Sequence, residues 1–361
     1  MNILIEIGHP GHVHLFRNAY HNLKSKGHKI TVLTHDLPIA IKLLEYYNVG
    51  FRIIGQKRKS ITGKLLFVLI HTLKLIVMIK KEKIDICISS SPSSVIATFI
   101  SGKRTIFMDD DDDPVEPFVY KYVHPFCSVI LSPQNTVRKS KKTIYYQGYH
   151  ELAYLHPNVF IPEQEILTEL GLKRSDTFFI LRFVALKGHH DINAKGLSLE
   201  QKLELIKVLE KKGKVYITGE RNLEEPLKSY GLNLPPEKLH HLLAFAQIFI
   251  GDSQTMASES AVLGVPSLRC NTFVGKITYL EDEEHNYGLT YGFSPDRFDD
   301  LNKKLIEILN NPSSVKDWHQ KREKLLNDKI DVTAFMIWFI ENYPESSKIM
   351  KENPEYQNRF K

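Results

Sequence analysis

Residues 248–270, IFIGDSQTMASESAVLGVPSLRC, carry the densest chemistry in this chain. Ile248-Phe249-Ile250 is the short apolar run of a strand buried on both faces. Gly251 supplies a flexible corner, and Asp252 and Ser253 are helix-capping residues. The helix that follows runs to about Leu263 and stops at Gly264, with Pro266 just beyond. Unsatisfied N–H groups and the positive dipole end at Ser253, Gln254 and Thr255 make an anion site. Glu259 stands about 9 Å further along the helix at ~1.5 Å per residue, on the face of Thr255. An acid so placed could bind ribose hydroxyls while the helix start holds a diphosphate, which is chemistry for a nucleotide-sugar. The plainer alternative is an ordinary capped strand–helix–strand unit with Glu259 solvated on the surface.

Three other loops carry titratable or anion-binding groups. Gly8-His9-Pro10-Gly11-His12-Val13-His14 joins a buried strand to a helix start, where glycine lets the backbone approach a ligand. Three histidines in six residues invite zinc, but no cysteine or acid accompanies them and neighbouring positions point several ways. A neutral histidine taking a proton from an acceptor hydroxyl is better motivated, against capping within the loop. Residues 109–113 are five consecutive aspartates before Pro114. So many like charges at a strand end imply cation, cap or arginine partners for some of them. Oxygen-only ligands would suit Mg²⁺, although contiguous acids do not make a spaced D-x-D metal motif. The expectation is that Asp109 or Asp110 faces the ligand and the others lie in solvent. In the second half, Arg182 ends a strand and could offset diphosphate charge through paired N–H bonds. His189 or His190, in Lys187-Gly188-His189-His190-Asp191, could add a donor, and Thr218-Gly219-Glu220-Arg221 ends the next strand in the same manner. The alternative for these loops is a solvated surface with a salt-bridged Arg182.

The elements that must position these loops alternate along the chain. Strands are expected at 3–7, 29–34, 51–54, 84–89 and 104–108, with short ones at 129–131 and 143–145. Helices are expected at 12–26, 37–47, 64–81 and 93–100. The plan repeats with strands at 178–183, 214–218, 248–250 and 267–270 and helices at 198–211, 236–244, 296–310, 314–328 and 332–343. Between 270 and 296 lies an acidic segment. Such alternation predicts parallel sheets covered on both sides. The boundaries are read as a first domain over 1–152, a second over 153–335 and a C-terminal helix and tail over 336–361, with a linker near 149–162. Two such α/β domains would face a cleft, with ligands at the carboxyl ends of the strands.

Length and composition fit this reading. The chain has 361 residues, 42% of them hydrophobic, and a net charge of +6, which suits anionic ligands or a membrane surface. No interleaved aromatic and basic motif points to nucleic acid. Cys87, Cys127 and Cys270 have no metal spacing and cannot all pair, so a reducing, cytoplasmic compartment is expected. A strand directly after Met1-Asn2 leaves no signal peptide in the reading. Residues 65–79, LLFVLIHTLKLIVMI, are apolar apart from His71 and Lys74 and are flanked by Lys57-Arg58-Lys59 and Lys80-Lys81. The run is short for a bilayer span. It reads as a core helix or, with its basic flanks over 57–81, as a peripheral membrane contact.

These motifs resemble known families. Asp252-Ser253, Glu259 and Leu263-Gly264-Val265-Pro266 resemble the D-S-G-G-x-x-E-E-x-x-x-L-G-x-P run of UDP-N-acetylglucosamine 2-epimerases. There the serine holds diphosphate and the second acid binds ribose, which implies those roles for Ser253 and Glu259. Gln254-Thr255 replaces the paired glycines, so the Thr255 hydroxyl takes over part of the backbone cradle. Pro10-Gly11-His12-Val13 resembles the G-G-H-V start of the N-acetylglucosaminyltransferase that makes lipid II, which implies a base role for His12. The epimerase loop G-T-R-P-E is absent. Up to about residue 340 the chain is most similar to the family named domain of unknown function 354, whose fold resembles that of glycosyltransferases of the B class.

The combined expectation is an α/β protein of two Rossmann-like domains in the glycosyltransferase B arrangement. It would move a sugar from a nucleotide-diphosphate sugar, UDP-linked, to a glycan or lipid-linked acceptor in surface polysaccharide synthesis, in the cytoplasm or at the inner membrane face. Ser253, Gln254, Thr255, Asp252, Arg182, His189 and Gly219 would hold the nucleotide and Glu259 its ribose. His12 would be the base, with His14 and Asp110 in reserve. No metal or other cofactor is needed, because the helix dipole and side chains can stabilise the leaving diphosphate. The alternatives are a 2-epimerase using Asp110 with His189 or His190, or a non-catalytic nucleotide-sugar binder. The sequence further predicts that Glu259→Ala weakens nucleotide binding at an unchanged melting temperature.

Overall fold

In the computed structural model, which describes residues 1–55, 61–183, 196–219 and 223–361, the chain forms two compact units. One comprises residues 1–154 with 329–361, the other residues 155–328. The first unit runs β1 (Asn2–Ile7), α1 (Pro10–Ser25), β2 (Lys29–Thr34), α2 (Pro38–Tyr46), β3 (Phe51–Ile53), α3 (Ile61–Lys81), β4 (Ile86–Ser89), α4 (Pro92–Ile100), β5 (Arg104–Met108), α5 (Pro117–Tyr122), β6 (Val129–Pro133) and β7 (Thr143–Tyr146). Short α6 (Leu152–Leu155) ends this stretch. All pairings are parallel, in the order β3-β2-β1-β4-β5-β6-β7. The sheet therefore winds outward in opposite directions from β1 and β4, and a ligand crevice is expected beyond their carboxyl ends.

The second unit runs α7 (Glu165–Glu169), β8 (Phe178–Arg182), α8 (Leu199–Leu209), β9 (Lys214–Thr218), α9 (Leu239–Leu243), β10 (Ile248–Gly251), α10 (Gln254–Leu263), β11 (Ser267–Cys270), α11 (Thr278–His285), β12 (Thr290–Phe293), α12 (Phe298–Asn310) and α13 (Ser314–Asp328). Its parallel order is β12-β11-β10-β8-β9, which puts the reversal between β8 and β10. Helices α14 (Val332–Glu341) and α15 (Glu345–Glu352) then return to the first unit. The sequence reading gave residues 329–335 to the second domain and made 336–361 a separate tail. Packing explains the difference. The Thr333 hydroxyl donates to the Ala153 carbonyl at 2.7 Å, and the Phe335 ring meets Tyr146 at 5.9 Å between centroids. Asp331 caps α14 through the Ala334 N–H.

The acidic segment is ordered. It forms α11, whose Glu281 and Glu284 close on the fully buried Arg269 guanidinium at 2.7 and 3.0 Å. Strand β12 follows it, and Gly292 is required there because a Cβ would lie 2.9 Å from that guanidinium. A tetrapeptide Thr-Tyr-Gly-Phe has no apolar run to announce a strand, which is why sequence reading missed it.

Helix α3 is apolar on two sides. Leu75 and Ile79 pack into the core with Leu4, Leu33 and Cys87, while Leu69, Ile70, Leu73 and Val77 are exposed. Among the described residues no helix is long and apolar enough to cross a membrane. All three cysteines are buried free thiols, with burial raising the Cys87 and Cys270 thiols to about 12.

Candidate active site

In the second unit the phosphate-type turn forms as the residue types demand. The Ser253 side chain caps α10 by accepting the Met256 N–H at 3.4 Å. Helix geometry leaves the N–H groups of Gln254 and Thr255 without an intrahelical carbonyl, and these two side chains are half-buried and exposed respectively. Gly264 ends the helix at φ +79°, a conformation suited to glycine. Gly251 is needed for a different reason: a Cβ there would stand 2.3 Å from the Arg182 carbonyl oxygen. Gly251→Ala is therefore expected to push β10 off β8 and cost at least about 1–3 kcal/mol, readable as a lowered denaturation midpoint.

Arg182 ends β8 directly beside Gly251, Gly219 follows the end of neighbouring β9, and Asp252 is buried with its carbonyl accepting from Asn271 Nδ2 at 3.1 Å. The structure thus gathers Arg182, Gly219, Asp252, Ser253, Gln254 and Thr255 at the carboxyl ends of three adjacent strands. His189, His190, Glu220 and Arg221 lie outside the described residues. Glu259 is not the solvated surface acid of the plainer alternative. It is buried, and its carboxylate accepts from His240 Nε2 of α9 at 2.8 Å. Sequence reading missed His240 because the two lie 19 positions apart on different helices.

In the first unit the β1–α1 loop is closed by its own histidines. His9 caps α1, its Nδ1 accepting the Gly11 N–H at 3.1 Å. His12 Nδ1 accepts the Gly8 N–H at 3.2 Å. In a neutral imidazole the other nitrogen then carries the proton, so His12 presents an N–H donor at Nε2. Its pKa is pushed down to about 3 by burial, then by the charges of His9 and His150, so it stays neutral throughout the physiological range. In this geometry Nδ1 is occupied by the Gly8 N–H, so a base role for His12, as expected from the sequence, requires that contact to open. His14 is taken up in packing. Its Nδ1 faces Arg17 at 3.2 Å, and its ring meets Tyr154 and Tyr47 at 5.3 and 5.9 Å.

The five aspartates separate into distinct roles. Asp109 and Asp113 clamp the Arg138 guanidinium at 3.0 and 3.1 Å, and Asp109 also meets His124 at 2.8 Å. Asp112 accepts the Val137 N–H at 2.6 Å. These three are buried, against the expectation that most of the run lies in solvent; Asp111 alone is exposed. Asp110 pairs with His150 Nδ1 at 3.1 Å. Although burial opposes both charges, the pair holds the Asp110 carboxyl below its ordinary range and the His150 imidazolium above its own. His150 Nε2 is buried and has no hydrogen-bond partner among the described residues. A carboxylate holding one ring nitrogen and leaving the other for a substrate proton is the arrangement of an oriented general base. His150 was not legible as a site residue, since it stands forty positions from Asp110. Its place just past β7 was the one available signal.

The family described as "Protein of unknown function (DUF354)" matches residues 1–329. The chain belongs to this family. An uncharacterised protein of Methanocaldococcus jannaschii is 22% identical to this DUF354 chain over 79% of it and 86% of the relative. A solved UDP-N-acetylglucosamine 2-epimerase is 12% identical, with a TM-score of 0.64 over 89% of this chain and 90% of its own. The glycosyltransferase VinC, solved in complex with DTDP, is 12% identical, with a TM-score of 0.62 over 98% and 100%. The DUF354 chain thus shares the fold of glycosyltransferase B enzymes and of 2-epimerases.

Proposed function

We propose that this protein is a glycosyltransferase that uses a nucleotide-diphosphate sugar, UDP-linked, and a glycan or lipid-linked acceptor. The observation that carries the reading is the Asp110–His150 pair at a strand end, with Nε2 of His150 left for a proton. Within the second unit the reading uses the start of α10 beside Arg182 as an anion site and the buried acid Glu259 for the ribose. In the reaction the acceptor oxygen bonds to the anomeric carbon and the carbon–oxygen bond to the diphosphate breaks. The acceptor proton passes to His150, and the nucleoside diphosphate leaves with its charge met by α10 and Arg182. His12 Nε2–H would donate to the acceptor or the sugar. The reading needs no metal for the transfer step.

The test is incubation with UDP-N-acetylglucosamine in heavy water, with and without lipid-linked and glycan acceptors. Acceptor-dependent release of UDP supports transfer. Deuterium entering at C2 without an acceptor replaces the reading with epimerisation, and tight donor binding with neither outcome replaces it with a binding protein.

The same reading puts the protein at the inner face of the cell membrane. Its support is the exposed face of α3, Leu69, Ile70, Leu73 and Val77, beside an open groove of about 990 Å³ whose charged lining is Asp36, Lys74, Lys81 and the paired Arg52 and Glu82. Exposed apolar side chains with Lys74 and Lys81 on the same helix suit an anionic bilayer surface. Leu73→Ser with Val77→Ser is expected to weaken binding to phosphatidylglycerol vesicles by about tenfold or more, at ~1.5–3 kcal/mol per fully buried side chain, with the melting temperature unchanged. Equal sedimentation of both proteins with vesicles would remove the membrane from the proposal.

A further inference from the structure

His71 interrupts the apolar run of α3, and its surroundings give that interruption a purpose. Glu6 on β1, His35 just past β2 and His71 on α3 meet in the core of the first unit, all three side chains buried. One carboxylate oxygen, Glu6 Oε1, lies 2.9 Å from His71 Nε2 and 3.5 Å from His35 Nε2. The three candidate ligand atoms all fall within 4.8 Å of one another, and the two rings are 4.6 Å apart between centroids. Neither histidine belongs to the candidate active site, and nothing in the transfer reading uses them.

We propose that Glu6, His35 and His71 form a structural site for a divalent transition metal, Zn²⁺. Zinc bonds of about 2.0–2.2 Å to nitrogen and oxygen in tetrahedral array put neighbouring ligand atoms about 3.3–3.5 Å apart. The separations of 2.9 and 3.5 Å bracket that spacing. Two imidazoles and one carboxylate are borderline ligands that suit Zn²⁺ better than Mg²⁺ or Ca²⁺. The fourth position is left to water. The other carboxylate oxygen, Glu6 Oε2, is buried and has no hydrogen-bond partner among the described residues. An ion here would tie α3 to the strand ends of β1 and β2, binding together elements up to 65 positions apart in sequence. The competing description is a proton-sharing network in which one imidazolium neutralises Glu6 without metal.

The full chain, produced without a histidine tag and stripped by chelator, decides between them. Expected on titration is one equivalent of Zn²⁺ retained through dialysis and a higher melting temperature. Co²⁺ should give the intense visible bands of a four-coordinate site, and X-ray absorption of the zinc form should show two imidazoles and no sulfur. His35→Asn and His71→Asn are expected to lose the stoichiometric metal, whereas His14→Gln keeps it. If either variant fails to fold, the imidazole count in the wild-type absorption spectrum still gives the answer. Failure of the wild type to retain metal, or full retention by folded His35→Asn, overturns the proposal in favour of the proton-sharing network. Sugar-transfer activity is not the readout, so the two proposals fail separately.

Discussion

Replacing His150 by glutamine is expected to slow sugar transfer by about 10²–10⁴-fold, the range for loss of a positioned general base. Nucleotide affinity should not change, because the donor groups belong to the other unit. The same pair sets the pH profile. Asp110 holds the His150 imidazolium above the ordinary histidine range, and only the neutral ring can take a proton. Activity should therefore climb on an acid limb lying above pH ~6.5, the unperturbed histidine value. Asp110→Asn removes the charge that raises His150, so the limb should move down in pH even as the rate falls. Stability moves in the opposite sense. The raised His150 contributes stability below its unfolded pKa that is lost as pH rises through its folded one. The lowered Asp110 contributes stability above its unfolded pKa that is lost as pH falls through its folded one. A profile whose acid limb stays fixed in Asp110→Asn would remove His150 as the base and return the role to another group.

The sequence made the scaffold legible, because parallel strands buried on both faces announce themselves as apolar runs and helix stops as Gly and Pro. The turn after β10 was readable for the same reason: capping, corner and stop residues are local. Pairings across the fold were not. Asp110 with His150, Glu259 with His240 and Arg138 with Asp109 and Asp113 join segments whose proximity is set by strand order, and no local spacing encodes it. The histidine loop shows the limit most sharply. Three histidines in six residues look equivalent as letters, yet one caps a helix, one is locked as a donor by the Gly8 N–H and one packs against Tyr154. The five aspartates divide in the same way, according to which loop each meets. Like charges this dense are tolerated because Arg138, His124, His150 and the Val137 and Lys139 N–H groups absorb most of them.

Glu259 is where the structure most changes an expected result. A solvated acid could be removed at no cost to folding, but this one is buried against His240. Removing the acceptor of a buried hydrogen bond costs about 1–3 kcal/mol. At about 2–4 °C per kcal/mol for a unit of this size, Glu259→Ala should lower the melting transition by about 2–12 °C. That loss alone cannot distinguish a structural acid from a ribose ligand. Glu259→Gln can. The amide keeps the shape and an acceptor for His240, so most of the stability should return. A carboxylate offers about four acceptor sites, and the ribose reading requires one of them besides the one that meets His240. The charge-assisted bond to that hydroxyl, about 1.5–3 kcal/mol, is what the amide weakens. Nucleoside diphosphate affinity in Glu259→Gln should then fall about tenfold or more, while affinity for inorganic diphosphate, held by the start of α10, stays as in the wild type. Equal weakening for both ligands would mean that Glu259 only shapes the helix, and unchanged binding of both would leave it the structural partner of His240.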